Sequence, residues 1–217
     1  LALVGANGAG KTTLIKLLTR LYEPGRGEIL FRGVDLRYFA PEELRLRVGV
    51  LFQDFVRYHV PLSENIAFGA VEHLGDHARV LAAAAKGGAD EVAGLLPRGY
   101  DTLLGRWFES GHELSGGQWQ KVALSRPFMD DREVLVLDEP TASLDAAAEH
   151  QVFQRFKSLS DDRLALLISH RFSTVRMADR IAVLKDGGLE ELGSHEELMA
   201  KRGTYATLFE LQAEGYR

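Results

Sequence analysis

The glycine-rich stretch "GANGAGKT" at residues 5–12 constrains the fold more than any other feature of the sequence. A loop of this kind requires a strand before it and a helix after it. The apolar run "LALV" at 1–4 predicts the strand, and leucines at helical spacing, ended by "EPGRG" at 23–27, predict the helix. These leucines are Leu14, Leu17, Leu18 and Leu21.

The residue types in this loop suit a nucleotide bound with Mg²⁺. Gly5, Gly8 and Gly10 let the backbone turn tightly, so that successive N–H groups surround the phosphates. Lys11 reaches the terminal phosphates, and the Thr12 hydroxyl is a ligand for Mg²⁺. The alternative is a chance glycine turn, which average residue usage produces in roughly 1% of chains of this size. The flanking strand and helix favour nucleotide binding.

Four further apolar runs predict strands of a parallel sheet that is covered on both faces. They are "VGVLF" at 48–52, "VLVL" at 134–137, "LALLI" at 164–168 and "IAVL" at 181–184. From about Pro61 to Phe128 such runs disappear, and Ala- and Leu-rich helical segments replace them. The sequence therefore predicts an α/β core formed by residues 1–60 and 129–217, with an α-helical subdomain inserted at 61–128.

The stretch "VLVLDEP" at 134–140 places two carboxylates where a predicted strand ends. Ligands of open α/β sheets gather at this edge, where Asp138 can hold Mg²⁺ directly or through water. Strand alternation points Glu139 in a different direction, so it can act on a water molecule as a general base. A solvated acidic turn is the alternative, and the presence of a phosphate loop disfavours it.

A second phosphate-binding pattern lies in "ELSGGQWQKVAL" at residues 113–124. Its Ser-Gly-Gly turn precedes a helical pattern, so free backbone N–H groups and the positive end of the helix dipole meet at the turn. If Ser115 and Gly117 stand at the tip of the inserted subdomain, they cannot easily serve the phosphate loop of their own chain. We therefore expect them to bind the nucleotide of another copy of the chain.

Composition and charge exclude several classes of partner and site. The 26 Lys and Arg residues against 31 Asp and Glu give a net charge of −5, and no basic run offers a nucleic-acid surface. The absence of cysteine removes disulfides and thiolate metal sites. No apolar stretch approaches the ~20 residues needed to span a bilayer, and no signal-peptide pattern is present. The chain begins without Met inside a predicted strand, as expected for a fragment.

Six motifs in order resemble the nucleotide-binding domain of ABC transporters, over nearly the whole chain. They are "GANGAGKT", Gln53 in "LFQDF", "LSGGQ", "VLVLDEP", "ASLD" and His170 in "LLISHR". The stretches "GYDT", "SHRFSTVRMADRIAVLKDG", "GSHEELM" and "GTYATLFELQ" are similar to the exporter branch. Members of that branch usually carry six membrane helices on the same chain.

The resemblance implies a P-loop NTPase fold with a RecA-like parallel sheet core, and ATP and Mg²⁺ as ligands. It implies that Glu139 activates water, that His170 contacts the γ-phosphate, and that Gln53 completes the Mg²⁺ shell and senses the membrane domain. The implied catalytic residues are Glu139, His170, Lys11 and Gln53, and the implied metal ligands are Thr12, Gln53 and Asp138. The implied nucleotide-binding residues are Gly5, Asn7, Gly8, Ala9, Gly10, Lys11, Thr12, Thr13, Gln53, Asp138, Ser115, Gly116, Gly117, Gln118 and Asp145, the last in a loop that crosses to the partner.

The sequence departs from the family pattern in three places. The adenine-stacking aromatic residue and the antiparallel strands of the family would lie upstream of Leu1. Arg106–Phe108 are inserted before Glu109, in a loop that touches the membrane domains in the family. Pro127 stands where the family generally has Ala, so the signature helix is expected to kink or end there. Tyr58–Val60 fall where the family forms a groove for a membrane-domain helix, with a packed surface loop as the equal alternative.

We interpret the sequence as the ATP-hydrolysing domain of an ABC exporter at the cytoplasmic face of the cell membrane. The expected partners are a second nucleotide-binding domain and a transmembrane domain on the same full-length chain, and nucleic acid is not expected. The main alternative is a soluble ATPase of the same type acting on DNA or ribosomes, against which the lack of a heptad run and of a basic face argues. A catalytically inactive module is the third possibility, against which Glu139 and His170 argue.

Overall fold

The computed structural model describes residues 1–107, 109–140, 149, 152–154, 156, 157 and 163–214. The chain divides into two compact units. The first contains Leu1–Val48, Val136–Glu139 and Leu164–Arg217, and the second contains Gly49–Leu135 and Pro140–Arg163. The predicted subdomain at 61–128 lies within the segment Gly49–Leu135 of the second unit, and its own bounds stay a prediction.

The described residues form strands and helices whose bounds are as follows. The strands are β1 (Ala2–Val4), β2 (Leu30–Phe31), β3 (Val34–Asp35), β4 (Val48–Leu51), β5 (Val134–Asp138), β6 (Leu164–Ile168), β7 (Ile181–Lys185) and β8 (Gly188–Gly193). The helices are α1 (Lys11–Leu18), α2 (Pro41–Arg45), α3 (Leu62–Ala67), α4 (His77–Gly87), α5 (Ala89–Leu95), α6 (Gly116–Ser125), α7 (Phe172–Val175), α8 (His195–Lys201) and α9 (Thr204–Glu214). None of these described helices is long and apolar enough to cross a membrane.

The sheet of the first unit has the strand order β5-β6-β1-β7-β8. Strand β1 pairs in parallel with both neighbours, with Ala2 opposite Leu167 on one side and Ile181 on the other. Each of the five predicted apolar runs forms a strand, which confirms the predicted α/β fold class. Between two parallel neighbours both edges of β1 are paired, so its carboxyl end and the loop that follows it start from a fixed position.

Strand β8 is an antiparallel edge strand that the sequence analysis did not predict. It pairs with β7 through a hairpin whose turn is Asp186-Gly187, and both residues have positive φ values, 50° and 77°. Asp-Gly is favoured in two-residue hairpins because such turns need φ > 0 at both positions. The strand itself is mostly exposed and carries charged residues, so it lacks the apolar run by which the other strands were recognised.

The core of the first unit lies between the sheet and helices α7 to α9. Alternate residues of β1 and β7 face it, as the period of two in a strand requires. Its members are Ala2, Val4, Phe172, Val175, Ile181, Val183, Leu198 and Tyr205, with Leu208 and Phe209 packed against them. The apolar face of α9 is therefore anchored on the strands that carry the phosphate loop.

Helix α1 is about one turn shorter than the leucine spacing predicts. It ends at Leu18, and Leu21 lies beyond it with 52% of its surface exposed. Arg20 adopts a left-handed conformation (φ 52°), which turns the Leu21 N–H back to the Lys16 carbonyl at 2.8 Å. This reversal closes the helix ahead of the predicted stop, because it satisfies carbonyls that a further turn would have used.

The second unit is built on helices α3 to α6. Its fully buried side chains include Leu62, Ile66, Ala83, Trp119 and Val122. Trp119 is 1% exposed and its indole N–H donates to Glu113 at 3.3 Å, so this residue packs in the interior. Helix α6 gives way at Arg126 to a 3₁₀ turn containing Pro127, which confirms that this proline ends the helix.

Candidate active site

The phosphate loop connects β1 to α1 within the first unit. A Cβ at Gly5 would lie 2.3 Å from the Leu184 carbonyl oxygen of the neighbouring strand, so only glycine fits there. Gly10 caps α1 in a left-handed conformation with φ 102°, which disfavours any residue with a side chain. The backbone geometry therefore explains why glycine occupies Gly5 and Gly10, two of the three glycine positions of the motif.

The loop offers the groups that a polyphosphate requires. Lys11 donates its ammonium to the carbonyls of Gly5 at 2.7 Å and Ala6 at 3.0 Å, which holds the cation against the loop. Thr12 and Thr13 are exposed in the first turn of α1. That turn contains no acidic residue, and Gly10 provides no side-chain cap. A fixed cation, two hydroxyls and an open helix N-terminus together fit an anionic nucleotide.

Asp138 and Glu139 lie where β5 ends. Asp138 is the last residue of the strand and is 4% exposed. Glu139 follows it in a left-handed conformation with φ 47°, and its N–H donates to the Ile168 carbonyl of β6 at 2.9 Å. Glu139 thus lies in a left-handed turn beyond the last residue of the strand. A left-handed residue with a side chain costs about 1–2 kcal/mol, a strain typical of functional sites.

His170 follows β6 and faces Glu139. Its Nδ1 lies 3.2 Å from Oε1 of Glu139, and the side chains are 57% and 18% exposed respectively. With a proton on Nδ1 the imidazole donates to the carboxylate and orients it. The structure thus brings together two of the four predicted catalytic residues, in the same unit as Lys11.

The Ser-Gly-Gly turn lies at the start of α6, in the second unit. Ser115 is the N-cap, and it forms a capping box in which its Oγ accepts the Gln118 N–H at 3.3 Å and its N–H donates to Gln118 Oε1 at 2.8 Å. Ser115 is exposed and the two glycines that follow are partly exposed. The turn is therefore accessible to a ligand, and Gln118 shapes it through its side chain.

Gln53 also belongs to the second unit and is exposed two residues after the end of β4. The loop that follows it is tied down by Asn65, which is fully buried. The Asn65 amide donates to the carbonyls of Tyr58 at 3.0 Å, Val60 at 3.0 Å and Pro61 at 3.2 Å. Three hydrogen bonds from one side chain fix the course of a loop that has little regular structure of its own.

Arg126 reinforces this loop from the end of α6. Its Nε donates to the Asn65 carbonyl at 3.0 Å, and its guanidinium lies 5.1 Å from the centre of the Tyr58 ring. Burial lowers the pKa of Arg126 to about 10, a cost that these contacts offset only in part. Tyr58 in turn packs edge-on against Phe68 at 4.7 Å. At Tyr58, where a groove is predicted, the loop is thus packed against its neighbours and is also partly exposed.

A pocket of about 450 Å³ opens between α3 and α4 of the second unit. We call it the α3–α4 pocket; it is lined by Ser63, Glu64, Ala67, Phe68, Leu74, Gly75, His77 and Val80. In the same unit Trp107, from the insertion noted in the sequence, is 81% exposed and lies 5.5 Å from the His59 ring. Asp145 and Phe108 lie outside the described residues.

Two residues of the site are not predicted from the sequence: Asn65, which holds the loop after Gln53, and Gln212, whose side chain hydrogen-bonds the backbone of His170 and Phe172. Each is a polar side chain in a position where its helix packs: Gln212 follows the apolar residues of α9, and Asn65 is fully buried in α3. A polar residue within an apolar helical stripe is the signal that could have identified both.

Comparison with known proteins gives a consistent result. A sequence model of the ABC transporter family matches residues 1–142. The chain is 41% identical to the subtilin transport ATP-binding protein SpaT of Bacillus subtilis over 91% of its length, and 42% identical to the ATP-dependent lipid A-core flippase of Methylococcus capsulatus over 97%. It covers 32% and 34% of those two proteins. The chain thus spans about a third of the length of the curated relatives it matches.

A solved structure agrees with these sequence matches. The chain superimposes with a TM-score of 0.89 on a bacterial Atm1-family ABC exporter with ATP bound, at 37% identity, covering 98% of this chain and 36% of the other. Together with the mostly parallel sheet, this confirms the predicted P-loop NTPase fold.

Proposed function

Because the chain belongs to the ABC transporter family, we propose that it is the ATP-binding and ATP-hydrolysing domain of an exporter. The observation that carries the proposal is the Glu139–His170 contact at 3.2 Å in the unit that also holds the phosphate loop. Phosphoryl transfer to water needs positioning and charge stabilisation more than covalent chemistry. Lys11 supplies charge, Glu139 accepts a proton from water, and His170 orients Glu139.

Mg²⁺ is the metal that this proposal implies. Thr12, Gln53 and Asp138 offer a hydroxyl, an amide oxygen and a carboxylate, which are hard oxygen donors of the kind that Mg²⁺ prefers. Asp138 is nearly buried at a strand end, and Thr12 is exposed at the start of α1. The ion would neutralise charge on the phosphates, while the protein residues orient the nucleotide.

A second nucleotide-binding domain is the proposed partner for the turn at Ser115–Gly117. The turn is exposed, begins a ten-residue helix and carries no acidic residue in the first turn of that helix, so it suits an anion. In a two-fold pair each site would take its phosphate loop from one chain and its Ser-Gly-Gly turn from the other, which makes the interface self-complementary. Asp145 is proposed to approach the same partner.

A transmembrane domain is the second proposed partner, which would place this domain at the cytoplasmic face of the membrane. The relatives by name include a flippase and a subtilin transport ATP-binding protein, and their length leaves room for a membrane part. The helical part proposed at 61–128 contains the α3–α4 pocket, whose lining of apolar and polar side chains suits a short amphipathic segment. The names and the length of these relatives favour an exporter over a soluble ATPase acting on DNA or ribosomes. The net charge of −5 favours the same choice, because nucleic acid is itself negatively charged.

The test is ATP hydrolysis by the full-length protein reconstituted in lipid vesicles. Glu139→Gln keeps the size of the side chain and removes the base, so we expect phosphate release to fall by at least about 10²-fold while ATP still binds. Glu28→Gln, an exposed residue of the first unit, is the matched control and should hydrolyse ATP normally. Hydrolysis in Glu139→Gln at the rate of Glu28→Gln, or none in the wild-type protein, would overturn the proposal.

A further inference from the structure

Helix α9 brings one polar side chain to the segment that carries His170. The helix docks on the core of the first unit through Tyr205, which is fully buried, and through Leu208 and Phe209. The Phe209 ring lies 5.6 Å from the ring of Phe172, two residues after His170. Gln212 is three residues beyond Phe209 and four beyond Leu208, so helical geometry places it on the docked side of α9.

The carboxamide of Gln212 bridges the two backbone groups on either side of Arg171. Its Nε2 donates to the carbonyl of His170 at 2.7 Å, and its Oε1 accepts the N–H of Phe172 at 2.7 Å. Both distances lie at the short end of the range for N–H···O hydrogen bonds. One planar group thus satisfies a carbonyl and an amide two residues apart, as the next strand would in an antiparallel ladder.

Hydrogen bonds between residues close in sequence also hold the segment that follows His170. Ser169 Oγ accepts the Arg171 N–H at 3.0 Å and lies 3.1 Å from Thr174 Oγ1. Thr174 Oγ1 also donates to the Arg171 carbonyl at 2.7 Å. These bonds are local and fix the turn into α7. Gln212 provides the long-range tie, from 42 residues along the chain, at the backbone of His170 itself.

We propose that Gln212 is a positioning residue for His170. The His170 side chain is 57% exposed, so packing alone does not hold the ring that faces Glu139 at 3.2 Å. The direction of the ring depends on the backbone from which it projects, and Gln212 fixes that backbone at its carbonyl. A displacement of about 1 Å in a catalytic group can cost as much as about 10²-fold in rate. This inference rests on the proposed ATPase function, in which His170 orients Glu139.

The test compares three variants of the full-length protein. Gln212→Ala removes both hydrogen bonds, whereas Gln212→Glu keeps an acceptor for the Phe172 N–H but loses the donor to the His170 carbonyl. Glu210→Ala, an exposed residue of the same helix, is the matched control. We expect kcat for ATP hydrolysis to fall roughly 3–10-fold in both Gln212 variants, with KM for ATP within about twofold, as for loss of one or two hydrogen bonds that act on the transition state.

Hydrogen–deuterium exchange without nucleotide provides a readout independent of hydrolysis. The Phe172 amide should exchange faster in Gln212→Ala than in Glu210→Ala, and should stay protected in Gln212→Glu. The inference is overturned if both Gln212 variants keep the kcat of an active Glu210→Ala, if only KM changes, or if Phe172 exchanges alike in Gln212→Ala and the control. If Gln212→Ala fails to fold, the kcat of Gln212→Glu, compared with that of Glu210→Ala, tests the inference. Absence of hydrolysis in the wild-type protein and Glu210→Ala alike would instead overturn the proposed function, and the exchange experiment would still test the contact.

Discussion

Nδ1 of His170 lies 3.2 Å from Oε1 of Glu139, and the two residues follow neighbouring strands of one sheet. The Glu139 N–H donates to the carbonyl of Ile168, the last residue of β6, so the two strand ends are tied together through the backbone as well. A carboxylate held in this way is oriented before any ligand arrives. That preorganisation is what a general base for water requires.

The first prediction concerns this contact. His170→Ala should leave ATP affinity nearly unchanged but lower kcat for hydrolysis by about 10²–10³-fold, because Glu139 loses the group that orients it. Nucleotide titration and phosphate release measured on the same preparation separate the two effects. His195→Ala, which removes a histidine bonded to Tyr205 away from this pair, is the control for general damage. An equal loss of affinity and kcat in His170→Ala would speak against the orienting role.

The second prediction concerns the cation of the phosphate loop. Lys11→Ala should abolish productive ATP binding and hydrolysis, because the triphosphate loses its principal cation. Lys16→Ala is the matched control, since Lys16 lies on the same helix but faces the Tyr22 ring at 5.2 Å. ATP binding by both variants is measured by titration calorimetry. Hydrolysis near the wild-type rate in Lys11→Ala would contradict the assignment of the loop.

The third prediction separates the metal from the nucleotide. Gln53→Ala should weaken Mg²⁺-dependent turnover while Mg²⁺-independent nucleotide binding stays largely intact, since an amide oxygen is a ligand for the ion and not for phosphate. Titrations with Mg²⁺ and with a chelator distinguish these effects. If both kinds of binding fall equally, Gln53 is not acting as a metal ligand.

The fourth prediction is about stability. Asn65→Ala removes the side-chain donor that three loop carbonyls share, two of which keep a backbone donor, and it removes one of the two Asn65 acceptors of Arg126, so it should destabilise the protein by about 2–3 kcal/mol. For a chain of 217 residues that lowers the unfolding temperature by roughly 4–12 °C. Glu64→Ala, one residue earlier and exposed, should change it little. Thermal unfolding followed by circular dichroism measures the difference, and similar temperatures for the two variants would show that Asn65 is dispensable for the loop.

The strands of the sheet could be predicted from the sequence wherever burial requires a run of apolar residues. Strands β1 and β5 to β7 are apolar runs because their residues are covered, whereas β8 is mostly exposed and its one signal is the Asp186-Gly187 turn. The predicted end of α1 is too late because the leucine pattern continues to Leu21. The left-handed Arg20 that stops the helix follows from tertiary context and not from its helix propensity.

The active site could be predicted by residue type but not in its geometry. Lys11, Glu139 and His170 stand in recognisable motifs, so their chemical roles could be predicted from the sequence. The contact between Glu139 and His170 depends on a left-handed turn that no local pattern demands. Gln212 lies 42 residues from His170 along the chain, and only the docking of α9 brings the two together. Long-range contacts of this kind follow from packing, which a single sequence does not display.

The last prediction concerns the second phosphate-binding turn. If Ser115–Gly117 bind the ATP held by the Lys11 loop of another chain, ATP is part of the interface, and hydrolysis loosens the pair because the turn loses its γ-phosphate partner. The domain should then be mainly monomeric without nucleotide, and Glu139→Gln, which cannot hydrolyse ATP, should accumulate an ATP-bound dimer. Adding Ser115→Arg places a large side chain at the exposed turn and should break the dimer without preventing ATP binding to the monomer. Lys121→Arg in the same helix, where the cation already pairs with Glu91, is the control. Size-exclusion chromatography with ATP resolves these species, and a Glu139→Gln protein that stays monomeric at saturating ATP, or a dimer indifferent to Ser115→Arg, would refute the shared site.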